Sequence, residues 1–127
     1  MHNWETGMKT GNVVVEKSKA FAIHIVRLYQ FLNTEKHEYV LSKQVLRSGT
    51  SIGANVKEAI RGQSKADFVS KLSIALKEAS ETEYWLELLI EAEYLTSEQG
   101  ETLLQDCREL LKLLTSIIKS SKGGNDS

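Results

Sequence analysis

Gln44, Ser51, Asn55 and Glu58 recur at helical spacing, within about 60° of one another around a helix, with Arg47 just beside them. Further along the chain Lys71, Glu78 and Glu81 fall next to Ile74 and Trp85. Two carboxylates near a lysine are the apparatus of general acid–base chemistry, and hydroxyl and amide groups could orient a substrate. The same residues could equally form a hydrogen-bond network that fixes register and partner choice between helices. The surrounding sequence favours the network. His2, His24 and His37 are scattered, and no spacing matches HExxH or the Glu-x-x-His of di-iron bundles. There is no GxSxG nucleophile elbow, no GxxxxGK[ST] phosphate loop and no GxGxxG after a strand. The nearest approach, Gly49-Thr50-Ser51-Ile52-Gly53, lacks both the lysine and the strand. The expectation is a protein that is not an enzyme, with no catalytic residues, no cofactor and no metal.

The elements that must position these residues are helices. The chain of 127 residues has no Pro, only eight Gly, and long stretches of Leu, Glu, Lys and Ala, which favour helix and starve hairpins of turn residues. Val14, Phe21, Ile25, Leu28 and Leu32 mark a first helix over about 13–32, with Asn12 as N-cap. Leu41, Val45, Ser48, Ile52, Val56 and Ala59 mark a second over about 35–61, ended by Gly62. Ser64 with Asp67 opens a third over about 65–94, carrying Phe68, Leu72, Ala75, Ala79, Leu86 and Ile90 inward. Thr96 with Gln99 is a full capping box for a fourth over about 97–119, with Leu103, Cys107, Leu110, Leu114 and Ile118. Short loops favour antiparallel neighbours, so the fold class is all-α, an up-down-up-down four-helix bundle over 13–120. Residues 1–12 read as a flexible arm and 121–127 as a disordered tail.

Composition narrows the setting. The apolar runs are too short for a membrane span and the polar start lacks a signal peptide's apolar region, so no membrane and a cytoplasmic location are expected. Cys107, the only cysteine, falls on an apolar face and reads as a buried reduced thiol. The net charge is −1, but residues 1–77 carry twelve Lys/Arg against six Asp/Glu while residues 78–127 carry four against eleven. That asymmetry implies a basic surface for an anionic partner, or complementary helices meeting within the bundle or between subunits.

Two helices have more apolar surface than one bundle needs. Leu46, Gly49, Gly53 and Ile60 widen the second helix's stripe to about half its circumference, and Ile74, Trp85 and Leu88 lie on another side of the third. The two glycines sit one turn apart, where each costs roughly 1 kcal/mol relative to Ala, so something must approach that side closely. Surplus apolar surface is commonly covered by another subunit, and a homo-oligomer is expected. In the third helix Lys65, Lys71 and Lys77 come early and Glu83, Glu87, Glu91 and Glu93 late, opposite to what the helix dipole favours. A ring of subunits placing the basic second helix against the acidic third would compensate this order.

QVLRSGTSIGANVKEA (44–59), SKADFVSKLSIALKEASETEYWL (64–86) and ELLKLLTSIIKSSK (109–122) resemble the bacterial four-helix-bundle proteins encoded in 23S rRNA intervening sequences. The resemblance covers about residues 13–122. It implies an antiparallel bundle assembling as a ring-like homopentamer, similar to the accessory variability determinant proteins of diversity-generating retroelements, which bind nucleic acid and a reverse transcriptase. It names an architecture and no reaction. Two functions stay open, a structural or interaction module that scaffolds protein partners, and an RNA- or DNA-binding accessory factor. For the latter the candidate surface is the outward side of the second helix, with Lys43, Lys57 and Arg61 aligned and Arg47 and Lys65 nearby. Lys and Arg would neutralise phosphates there, although no aromatic is interleaved for base stacking.

Overall fold

The computed structural model describes residues 3–123, with side chains from Asn12 to Lys122. Four helices follow in order, α1 (Asn3–Thr34), α2 (Leu41–Ile60), α3 (Lys65–Glu91) and α4 (Ser97–Gly123). Each helix packs on its chain neighbours and α1 also packs on α4, which places the four at the corners of a square. Contacts fix the antiparallel register. Ile25 meets Gly49 while Ser18 meets Gly53, Ser48 meets Thr82, and Cys107 meets Ala79. The core holds the inward stripes, with Val14, Phe21, Ile25, Leu32, Val45, Ile52, Phe68, Leu72, Leu86, Leu89, Leu110 and Leu114 fully buried. Leu89, Thr82, Leu104 and Ile117 are buried in addition to the expected residues, while Leu41, Ile90 and Leu103 are only half-buried.

The ends of the elements depart from expectation in instructive ways. α1 begins at Asn3, so Asn12 lies inside a helix instead of capping it, and most of the stretch expected to be a flexible arm is helical. Gly7 and Gly11 cost helix stability without forbidding it, and a nucleated helix gains one hydrogen bond for each added residue. α2 begins at Leu41, not at 35, because Glu38 acts as a remote cap. One Glu38 oxygen accepts from the Leu41 N–H at 3.0 Å and the Val40 N–H at 3.3 Å, and the other from the Ser42 N–H at 2.7 Å. A carboxylate at a helix N-terminus satisfies orphan donors and complements the dipole.

His37 just before it, with φ 53°, and Glu93 after α3, with φ 66°, occupy the left-handed region. These are places where glycine is the usual choice, so neither helix end carried its common marker. The α3 N-cap agrees with the Ser64 reading, since its hydroxyl accepts from the Asp67 N–H at 3.1 Å. The Thr96–Gln99 box is complete, with bonds of 3.0 and 3.1 Å in the two directions. α4 runs on through Ser121, which is buried and donates to the Ile117 carbonyl at 2.8 Å. The helix therefore covers residues 121–123 of the expected tail, and residues 124–127 lie outside the described residues.

Candidate functional site

The α2–α3 seam holds the polar residues with which the sequence opened, and it divides them into two clusters. In the first, Arg47 Nη1 donates to Glu78 Oε2 at 2.9 Å and Nη2 donates to Glu81 Oε2. The same Glu81 oxygen accepts from Trp85 Nε1 at 2.9 Å. Beneath them the buried Thr82 hydroxyl bonds Ser48 Oγ at 2.8 Å. In the second cluster, Lys71 Nζ stands 3.9 Å from Glu58 Oε2, a long and exposed ion pair.

Ser51 and Asn55 bond back into their own helix, to the carbonyls of Arg47 at 2.6 Å and Ser51 at 2.8 Å. Gln44 is exposed. The seam therefore does not gather its seven expected residues into one site. Arg47, read as part of a nucleic-acid surface, is bound to both carboxylates that had suggested acid–base chemistry. A guanidinium clamped on two carboxylates positions and neutralises them. Here it ties α2 to α3 and orients Trp85.

Further ion pairs join the helices, and two sets, Arg47 with Glu78 and Glu81 and Lys17 with Glu109, link the basic and acidic stretches of the chain. Arg108 of α4 donates to Glu83 at 2.9 Å and reaches Glu87 at 3.5 Å, and its hydrogen bond to Glu83 holds the guanidinium pKa above its ordinary value. Lys17 of α1 pairs with Glu109 at 2.7 Å, and that hydrogen bond raises the lysine pKa. Cations of α1, α2 and α4 thus meet the acidic partners that α3 and α4 offer within one chain. Cys107 is buried with its thiol 3.3 Å from the Ala79 carbonyl, and burial pushes its pKa up to about 12, as befits a packing residue. Among the described residues no three His, Cys, Asp or Glu side chains are placed to share a metal ion.

The glycines face inward to the same chain. A Cβ on Gly49 would lie 2.9 Å from Ile25 Cγ1 and Cγ2, whereas one on Gly53 would lie 3.4 Å from the Ser18 carbonyl oxygen. The close approach that the sequence required is made by α1. Leu46 and Ile60 are half-buried against the core on this side. A comparable contact escaped the sequence reading: a Cβ on Gly100 would overlap the Ile90 side chain where α4 starts against α3. A glycine in a first helical turn was the available clue.

Two outward surfaces remain. On α3, Ile74 is 41% exposed, and about three turns further on Tyr84 is 57% exposed with half-buried Trp85 and Leu88 near it. The Tyr84 and Trp85 rings meet edge to face at 5.2 Å. On the α1–α2 side, Val15, Lys19, Ala22, Thr50, Gly53, Ala54 and Lys57 line a groove of about 310 Å³. Lys43, Lys57 and Arg61 are exposed; Lys19 stands across the groove from Lys57, while Arg61 lines a separate pocket with Glu58, Asp67 and Lys71. Lys65 does not extend this face. It is half-buried, and its Nζ is enclosed without a hydrogen-bond partner. Among the described residues no helix is long and apolar enough to cross a membrane.

No curated protein matches the sequence. Among solved structures, the chain is similar to a protein of unknown function from the S23 ribosomal protein family of Bacteroides thetaiotaomicron, at 63% identity and a TM-score of 0.85 over 87% of this chain and 98% of that one. The pattern of the 23S rRNA-intervening sequence proteins matches residues 11–116. With its four-helix architecture and the α2 and α3 stretches that carried the resemblance, the chain belongs to the 23S rRNA-intervening sequence protein family.

Proposed function

We propose that the chain is a non-enzymatic, self-associating scaffold of the cytoplasm, a structural module whose outward α3 face is its assembly surface. One observation carries the proposal: Tyr84, Trp85 and Leu88 gather within about one turn on one side of α3, with Ile74 about three turns before them, and the described residues leave all four at least partly exposed. Exposed aromatic and aliphatic residues clustered on one face are the composition of an interface core. The Arg47–Glu81–Trp85 chain of bonds holds the largest of these side chains in one orientation, which lowers the entropy lost on association. The resemblance in sequence favours a homopentameric ring as the assembled form. Light scattering on the purified chain tests the reading, with a multiple of the 14.3 kDa chain mass expected and a monomeric mass at micromolar concentration refuting it.

A second reading has its own support. Lys19, Lys43, Lys57 and Arg61 are exposed, Lys19 and Lys57 across the α1–α2 groove, and make no ion pair among the described residues. Repeated around an oligomer, such a face would attract the phosphates of RNA or DNA, with strong salt dependence. Titration of structured RNA at low and physiological salt, with Lys57→Glu/Arg61→Glu alongside, decides it. Binding that is absent at low salt, or indifferent to the double substitution, refutes the nucleic-acid role.

A further inference from the structure

The groove between α1 and α2 has a composition of its own. Gly49 and Gly53 let the two helices approach closely, and Ala22, Thr50, Gly53 and Ala54 leave the strip between them without a large side chain. Val15 lines it as well, and Val26, 40% exposed, stands four residues beyond Ala22 on the same side of α1. Val15, Lys19, Ala22 and Val26 recur at intervals of four, three and four residues, which marks out about three turns of helix, or about 16 Å.

The two walls carry one sign of charge. Lys19 rises from α1 and Lys57 from α2, both exposed and neither in an ion pair among the described residues. No Asp or Glu among the described residues lines the groove with them. An occupant must therefore meet two demands. Large apolar side chains fill the space that small ones leave, as when the ridge of one helix enters the groove between two others. Carboxylates on either side of that apolar row would compensate the lysines. A nucleic-acid strand meets only the second demand, because its phosphates would cover the apolar strip without packing against it. The α3 helix of a second copy is a poor source of carboxylates, since Glu78, Glu81, Glu83 and Glu87 already have Arg47 or Arg108 as partner.

We infer that the α1–α2 groove seats an amphipathic helix of a different protein, with large aliphatic residues packed along the strip and Glu or Asp beside them against Lys19 and Lys57. This goes beyond assembly through α3, and a chain that proved monomeric would keep the groove. The same molecule then joins copies through one surface and recruits an acidic helix through another.

Two fluorescein-labelled helical peptides test the inference. Both carry leucine at i, i+4, i+7 and i+11, and they differ only in having Glu or Lys on either side of that row. Fluorescence anisotropy with the purified chain should show the Glu peptide binding at least about tenfold more tightly than the Lys peptide. Lys19→Glu/Lys57→Glu should reverse that order. Ala54→Glu, at an exposed position, should abolish binding of the Glu peptide with helical circular dichroism unchanged. Ile74→Glu/Tyr84→Glu should leave it intact, which separates this contact from assembly through α3. Failure of the Glu peptide to bind, equal binding of the Lys peptide, or indifference to the groove substitutions would overturn the inference. So would light scattering in which Ala54→Glu disperses an assembled chain, because the groove would then seat a second copy. Structured RNA that binds through Lys19 and Lys57 where the Glu peptide does not would overturn it as well.

Discussion

The two flanks of α2 are built on opposite principles. Toward α1 it presents glycines, and contact is made by backbone proximity, with Gly49 against Ile25 and Gly53 against Ser18. Toward α3 it presents Arg47 and Ser48, and contact is made by directed bonds to Glu78, Glu81 and Thr82. The first flank tolerates little change of volume, because packed interiors transmit every added methyl to their neighbours. The second tolerates volume but not the loss of a partner, because an enclosed polar group left unpaired is costly. Catalytic-looking residues on the α3 side and motif-like glycines on the α1 side are both explained by how one helix meets two neighbours.

Substitutions can break or sharpen that contrast. Gly49→Leu drives a whole side chain into Ile25 and should destabilise the fold toward the upper end of the ~1–3 kcal/mol typical of overpacking, read as a lowered denaturant midpoint. On the polar flank, Thr82→Val removes the buried hydroxyl that joins Ser48 and should cost about 1 kcal/mol. Arg47→Ala should cost about as much or less, since the guanidinium is half exposed and its ion pairs are screened. Gly53→Ala should do least. Its Cβ would sit in ordinary contact, and the helix-propensity gain of about 1 kcal/mol leaves the fold as stable or slightly more so. A clear loss of stability in Gly53→Ala would show that both glycines are equally constrained, contrary to the contrast drawn between them.

Cys107 supplies a test by pH. Its thiol pKa is raised in the folded state from 9.0 to about 12, so between those values the folded chain keeps a proton that the unfolded chain releases. Stability from this group is complete below about pH 9 and falls as pH rises toward 12. A Cys107→Ala variant should show a shallower alkaline decline in denaturant titrations, whatever its stability at neutral pH.

Much of this was legible in sequence because periodicity reports burial. The stripes Val14 to Leu32 and Val45 to Ala59, the Ser64 cap and the Thr96–Gln99 box all follow from local rules that the fold obeys. What was hidden depends on geometry across the chain. Glu38 caps α2 from before its first turn, and His37 and Glu93 take backbone conformations for which no glycine stood as a marker. Gly49 and Gly53 were recognised as a close contact, but spacing alone could not say whether the neighbour was α1 or another subunit. Arg47, though half exposed, is engaged by α3 because its long side chain reaches a carboxylate from the edge of the stripe, a choice invisible at 100° per residue. Lys19 was missed because the groove it borders exists only once α1 lies against α2.

The measurement that bears most directly on the scaffold reading is the molar mass of the purified chain by light scattering, beside an Ile74→Glu/Tyr84→Glu variant whose changes fall on exposed α3 positions. The account predicts a defined multiple of 14.3 kDa for the unsubstituted chain and a folded monomer, with unchanged helical circular dichroism, for the variant. A monomeric unsubstituted chain, or an oligomer indifferent to two added carboxylates on α3, would contradict it.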